Sequence, residues 1–351
     1  MHLAATVWRH LDVTSRTEAM LALAEQALPA ARATGDRVWE ARIMLHLGNG
    51  HNRLGDFETA AQQLRRAVAI AHEAGDRLGE SRGRDLLGWA LAQRGRHDEA
   101  LTQMRHAVRI ARQTGDQNAV SVALNNMGVI YQRQGRYEEL LALLAEALAS
   151  ARAAGGRATQ ARVLGNIGVA YVESGDPTAA LDHLREALAI HRELGNRTGE
   201  AIALVNIARA HHEAGDDEPA YREAGAALAI LRETGDRAAT ASALNALGAA
   251  ALRLGRATEA ADRHREALTL AVEIGSPFSQ ARAHTGLGDA HEATADPATA
   301  AHHWRQALAA YGDLDAPETQ RVRDRLDRPA GSSPSAPTAP ATRQEPSTAH
   351  Q

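Results

Sequence analysis

Cysteine and lysine are both missing from these 351 residues. Without cysteine there is no disulfide, no thiolate zinc site and no thiol nucleophile; the composition suits a reducing cytosol, and a cytoplasmic location is expected. Without lysine, all 39 basic side chains are arginine, which removes the residue that a Walker-type phosphate loop or a Schiff-base enzyme requires. Aromatic residues make up only 3% against 44% apolar overall, so the core must be built from Ala, Leu, Val and Ile, which suit close helix packing. No apolar run reaches the roughly 18 residues of a membrane span. The N-terminal "MHLAATVWRHLDV" has neither the basic start nor the sustained apolar stretch of a signal peptide. A formal charge of −4 gives no general attraction to nucleic acid or to an anionic membrane.

What the chain has in abundance is glycine in register. Gly48, Gly88, Gly128, Gly168, Gly248 and Gly288 are spaced by forty or a multiple of it, with Ala208 filling the gap. A second series runs Gly55, Gly95, Gly135, Gly175, Gly215, Gly255 and Ala295; a third runs from Gly35 to Gly275. Ala67, Ala107, Ala147, Ala187, Ala227, Ala267 and Ala307 keep the same step. Between the glycines, apolar residues recur at three- and four-residue intervals, the mark of one helix face, so each unit holds two helices. The second and third glycine series sit at helix ends, as in "RQGRYE" and "ETGDR", where glycine can take the left-handed conformation and the following Asp can cap the next helix. Asp176 followed by Pro177 reads as an N-cap and first helical residue. Gly128 lies mid-helix, where glycine is costly, and its recurrence predicts close approach of a neighbouring helix.

These spacings resemble the tetratricopeptide repeat family. The resemblance rests on Met127-Gly128, Tyr131, Gly135, Leu140, Leu144 and Ala147, and again on Ile167-Gly168, Tyr171, Gly175, Ala180, Leu184 and Ala187, and it extends over roughly nine-tenths of the chain. It implies an all-α solenoid, a right-handed superhelix of about eight helix-turn-helix repeats. The forty-residue unit exceeds the family's usual length, so its helices should be about a turn longer. Leu140, Ala224 and His264 depart from the usual residue types and are expected to loosen individual contacts. Residues 1–40 read as a degenerate first repeat with Ser15 at its turn, 41–314 as the array, 315–328 as a polar capping helix, and 329–351, rich in Pro, Ser, Thr and Ala, as a disordered tail. The "GDRLGE" and "GNRTGE" segments also resemble the C-terminal arrays of bacterial SARP-type regulators and STAND-type signalling ATPases, where such arrays act as sensors or interaction surfaces.

In the family, the first helix of each repeat lines a concave groove that binds proteins or peptides. The groove positions here include Arg42, Asn49, Arg82, Asp85, Trp89, Asn125, Arg133 and Arg162. Arginine pairs bidentately with carboxylates, asparagine can donate to and accept from a peptide backbone, and Trp89 offers an apolar anchor. Later repeats place Arg209, Asn245, Arg282, Thr285 and Asp289 in the same register, but Val169, Val205, Ala249 and Leu252 dilute them, so the ligand is expected along the N-terminal half. Each of these polar positions, taken singly, also reads as an ordinary solvated helix face. Asn126, Asn166 and Asn206, one residue deeper, are expected to bond to neighbouring helices. His51, His211 and His291 take the usual aromatic position and are expected to pack. The pairs His211-His212 and His302-His303 lack metal-ligand spacing, since adjacent helical residues diverge by about 100°.

The expectation is therefore a non-catalytic protein- or peptide-binding scaffold, with no cofactor and no metal, serving bacterial regulation or signalling. Its partner could carry acidic groups, self-association is open to it, and neither membrane nor nucleic acid is an expected partner, since Asp85, Glu173, Glu213, Asp289 and Glu292 break up any basic stripe. Two alternatives stand beside it. One is a free-standing sensor portion of a SARP- or STAND-type regulator. The other is an enzyme subunit active only with a partner, although no recurring catalytic cluster is visible.

Overall fold

The computed structural model describes residues 17–312 and 317–327, and every regular element in them is helical. Sixteen helices follow one another: α1 Thr17–Ala33, α2 Arg37–Arg53, α3 Phe57–Glu73, α4 Arg77–Gln93, α5 His97–Thr114, α6 Gln117–Arg133, α7 Tyr137–Ala153, α8 Arg157–Glu173, α9 Pro177–Glu193, α10 Arg197–Ala214, α11 Asp217–Thr234, α12 Arg237–Arg253, α13 Ala257–Glu273, α14 Pro277–Ala293, α15 Pro297–Tyr311 and α16 Pro317–Leu326. Two compact units are present, Met1–Ala170 and Tyr171–Gln351, and the division falls inside α8. Ser15 and the tail 329–351 lie outside the described residues; α1 falls within the span expected for the first repeat, and α16 within the span expected for the cap.

The helices begin and end where the local chemistry dictates. Asp36, Asp56, Asp76, Asp116, Asp176, Asp236 and Asp296 each accept a hydrogen bond from the backbone N–H three residues on, the N-cap geometry. The glycines that end helices take positive φ, Gly135 at 67° for example. Ala295 stands in that series at φ 59°, the one non-glycine with positive φ among the described residues.

The mid-helix glycines are sockets. A Cβ on Gly48 would lie 2.4 Å from Leu64, on Gly88 2.6 Å from Met104, on Gly128 2.9 Å from Leu140, and on Gly288 2.3 Å from the Trp304 indole. The large residue of the second helix thus sits over the glycine at Gly48, Gly88 and Gly288; over Gly128 it is Leu140, at the usually small position, that comes nearest, with Leu144 behind it at 3.5 Å, so Leu140 fills the contact it was expected to loosen. Where Ala208 replaces the glycine, its counterpart on the second helix is Ala224, a small residue for a large one, and both are fully buried. His264 does not loosen its contact as the sequence suggested. It is only 2% exposed and fills the socket over Gly248, with its ring 2.7 Å from where a Cβ would be.

The "GDRLGE" style of segment also has a structural meaning. Glu40, Glu80 and Glu200 sit in the first turn of their helices, buried, and each is gripped from two sides. Arg32 and Arg37 hold Glu40 at 3.0 and 2.6 Å; Arg192 and Arg197 hold Glu200 at 2.9 and 2.8 Å; Arg77 and Arg84 hold Glu80 at 2.8 Å each. Arg32 and Arg192 belong to the preceding second helix, so the pair staples consecutive repeats. Hydrogen bonding from Arg32 and Arg192, first among the causes, holds Glu40 and Glu200 below the usual carboxylate range.

Within the N-terminal unit α2 touches α4, and α4 touches α6; within the C-terminal unit α10 touches α12, and α12 touches α14. First helices therefore pack side by side and form a wall in each unit, and it is on this wall that the expected groove residues stand.

Candidate functional site

In the N-terminal unit the eight expected residues divide into three groups. Arg42 and Arg82 converge on the N-cap Asp76. Arg42 Nε donates to Asp76 Oδ2 at 3.0 Å, while Arg82 is exposed, acts on the same carboxylate through its charge, and makes no hydrogen bond among the described residues. Burial opposes ionisation of Asp76, but the hydrogen bonds from Arg42 and from the Gly79 N–H outweigh it and keep the carboxyl below its ordinary range.

The second group is a ladder. Asn126 Nδ2 donates to both carboxylate oxygens of Asp85 at 3.2 and 3.0 Å, and Asn166 Nδ2 donates to Asn125 Oδ1 at 2.7 Å. Asp85 and Asn125 are 9% and 4% exposed. They are committed to bonds between neighbouring first helices, with Asn126 and Asn166 in the helix-bridging role expected of them. Desolvation pushes the Asp85 carboxyl up to about 6, against the Asn126 hydrogen bond and the charge of Arg162. Arg162 feels the reciprocal effect: desolvation lowers its pKa and Asp85 raises it. Its side chain is still exposed, so it remains a cation at neutral pH.

The third group stands apart. Trp89 and Asn49 are half-buried, and Asn49 makes no side-chain hydrogen bond among the described residues. Arg133 is exposed and donates to Gln93 Oε1 at 3.0 Å. None of the eight lines the N-terminal unit's cavity of ≈ 310 Å³, which lies between α1, α2 and α3 and includes Arg32, His51 and Arg66.

A larger cavity, ≈ 850 Å³, opens in the C-terminal unit on the wall of α10, α12 and α14, with Tyr311 and α16 closing it. Arg209, Asn245, Arg282 and Asp289 line it, all at groove positions visible in the sequence, together with His264 from a second helix. Asp289 Oδ1 accepts from Trp304 Nε1 at 2.9 Å and Oδ2 pairs with Arg325 at 2.9 Å. Desolvation still pushes its carboxyl up to about 6. Arg282 is half-buried, and burial followed by the like charge of Arg209 brings it down to about 10.

The histidines of the aromatic position pair rather than simply pack. His51, His211 and His291 point Nδ1 at the carboxylates of Asp56, Asp216 and Asp296, at 3.6, 3.4 and 3.6 Å. A His followed five residues later by Asp, three times over, was the sequence signal for this. Elsewhere His284 and His303 approach Nδ1 to Nδ1 at 3.0 Å, which requires one to donate and the other to accept. No group of three or more potential ligands is placed to hold a metal ion among the described residues. No helix among them is long and apolar enough to cross a membrane.

Comparison with known proteins follows the geometry. The tetratricopeptide repeat family model matches residues 42–113, 119–193, 161–233, 199–273 and 239–313. A search of curated protein sequences gave no match. Among solved structures, the apo quorum sensor NprR from B. thuringiensis is similar at TM-score 0.68 and 14% identity, over 88% of this chain and 87% of that one. The Rap conjugation gene regulator of the plasmid pLS20, solved with the Phr* peptide, is similar at TM-score 0.61 and 16% identity, over 85% and 80%. A signal transduction ATPase with numerous domains and a tetratricopeptide repeat sensor, from Pyrococcus horikoshii, is similar at 0.64 and 15%, over 89% of this chain and 50% of that one.

Proposed function

Because the chain belongs to the tetratricopeptide repeat family, we propose that it is a non-catalytic scaffold that binds a protein or peptide along the wall of first helices and serves a regulatory role. One observation carries this reading: beside the polar groups committed to the ladder, the N-terminal wall presents groups whose side chains make no hydrogen bond among the described residues. Arg82 is exposed without a hydrogen bond among the described residues, and half-buried Asn49 and Trp89 stand on the same wall. Such a surface can hold a carboxylate, a backbone amide and an apolar side chain of an extended ligand. Solved structures of the same fold support the class of function: one is a regulator with its peptide bound, and one is a quorum sensor. The signalling ATPase supports a second reading, the sensor portion of a larger regulator.

The test is a pull-down from native lysate with mass spectrometry, followed by binding measurements on Trp89→Ala and Arg82→Ala. A true anchor costs about 2 kcal/mol when truncated, roughly a thirtyfold loss of affinity. Both variants should melt close to the parent. Normal folding and normal binding in both would remove the N-terminal wall as the site; unfolding of Trp89→Ala would make Trp89 a core residue.

A further inference from the structure

Adjacent helical residues diverge, so His302 and His303 do not act as a pair with each other; the neighbouring helix supplies their company. His303 of α15 stands among three other imidazoles. The rings of His284 and His291, both on α14, are centred 5.3 and 5.6 Å from it, and that of His302 is 5.5 Å away. His291 stacks on His303 with 20° between the planes, and His302 meets it edge-on at 66°. His284 and His303 meet head-on. Their Nδ1 atoms are 3.0 Å apart, and the ring centres exceed that separation by about one ring's width, so each nitrogen points at the other. The rings are bonded through one shared proton and do not converge on a common point.

Proton counting shows what this bond tolerates. One Nδ1 donates and the other accepts. A first extra proton can sit on an outer Nε2 and leave the bond intact. A second puts N–H against N–H, breaks the bond and sets two like charges side by side. Asp296, the N-cap of α15, lies 3.6 Å from His291 Nδ1. Arg265 of α13 adds positive charge at His303, and its own partner is Asp262 at 2.7 Å. Asp289 and Glu292 of α14, Arg253 of α12, and Glu318, Arg321 and Arg325 of α16 line the cavity, which none of the four histidines does. Burial first, then the other three histidines and Arg265, brings His303 down to about 4; burial, then His302, lowers His284.

We propose that this cluster is a proton-operated release for the end of the array: at neutral pH the His284–His303 bond fastens α15 to α14, and uptake of a second proton lets α15, and α16 packed on it, come away. The consequence is local. Trp304, next to His303, fills the socket over Gly288, and Tyr311 and α16 close the cavity, so release uncovers both. The sign follows from linkage. Attached rings refuse protons that freed rings, at an ordinary 6.5, accept, so attachment is strongest above about pH 7 and weakens as pH falls toward 4. A fall from 6.5 to about 4 in one ring corresponds to about thirtyfold weaker attachment at about pH 5; half-buried rings are partly screened by water, so about tenfold is expected. The release does not depend on what binds the N-terminal wall.

The test is hydrogen exchange read by mass spectrometry on the full chain at about pH 7.5, 6 and 5, with rates corrected for the intrinsic pH dependence of exchange. Peptides from α15 and α16 should lose protection about tenfold by about pH 5, while those from α2 to α7 change by less than about threefold. His284→Leu with His303→Leu replaces the shared proton by an apolar contact and should keep its protection in acid. His291→Gln with His302→Gln leaves the Nδ1 bond in place but strips two neighbouring rings; it should move the loss down by about half a pH unit or more, and it tests the cluster even where the leucine pair does not fold. His264→Leu removes the buried histidine that lies against α14 at Gly286 and should leave the α15 response in place. The proposal is overturned if α15 and α16 stay protected at about pH 5, if the leucine pair, folded at neutral pH, loses protection as the parent does, if the glutamine pair leaves the midpoint unmoved, or if His264→Leu abolishes the response.

Discussion

Asp85→Asn tests whether the ladder carboxylate is desolvated. The folded pKa of about 6 compared with an ordinary 3.8 means that keeping Asp85 ionised at about pH 7 costs about 3 kcal/mol. Asparagine removes that cost. It also turns one accepting oxygen into a donor facing Asn126, which leaves a buried polar group unpaired at about 1–3 kcal/mol. At neutral pH the two effects nearly cancel, so the informative quantity is the pH dependence. With a raised folded pKa, the native state binds the proton first, and the parent gains stability from Asp85 as pH falls from about 7 toward 4. The variant has no such gain. The stability difference, variant minus parent, should therefore fall by about 2 kcal/mol between about pH 7 and pH 4.5. Taking the difference matters, because Asp289, also raised to about 6, acts in the same sense, while His264, pushed down to about 4 mainly by burial, acts in the opposite one. Urea denaturation followed by circular dichroism at a series of pH values gives the number. A difference that stays flat within about 0.5 kcal/mol would refute the argument and make Asp85 an ordinary solvated carboxylate.

Asp85 also shows where sequence reading stops. Periodicity placed every helix of the array and both kinds of glycine, because helix period, cap chemistry and socket geometry act locally or between fixed neighbours. The groove register is coarser. Asp85 and Asn125 share it with Arg82 and Trp89, yet the first two are buried in bonds to the next repeat, and only the packing distance between first helices decides which. The C-terminal cavity was hidden for a related reason. Arg209, Asn245, Arg282 and Asp289 were all visible, but Ala249 and the other small residues among them looked like dilution of a binding surface. In the structure, small residues there, Ala246, Ala249 and Gly286 among them, are what leave room.

The remaining predictions concern packing and charge. Glu200→Gln should cost about 1–2 kcal/mol, because two charge-assisted hydrogen bonds become neutral while their half-exposed arginines keep access to water. Since Glu200 is held below its ordinary range, its contribution is present above the unfolded pKa and lost as pH falls through the folded one, so parent and variant should converge in acid. His264→Leu should flatten the parent's loss of stability between about pH 6.5 and 4, where the unfolded chain binds a proton that the buried ring refuses. Gly48→Ala should destabilise by about 1–3 kcal/mol despite alanine's better helix propensity, since its Cβ would meet Leu64 at 2.4 Å; a neutral or stabilising result in thermal denaturation would mean the socket is slack. The socket rule is tested most fully where the protein itself breaks it. Ala208 and Ala224 are both at or below 1% exposure, so Ala224→Leu alone must press a large residue onto a filled socket and should lower stability by about 1–3 kcal/mol. Ala208→Gly alone opens the socket with nothing to fill it and loses about 1 kcal/mol of helix propensity as well. Together the two changes restore the pairing found at Gly48 and Leu64, and the double variant should recover at least about 1 kcal/mol over the sum of the singles. Strict additivity in that double-mutant cycle would show that the two positions do not share a contact, and that the matched small residues arose independently.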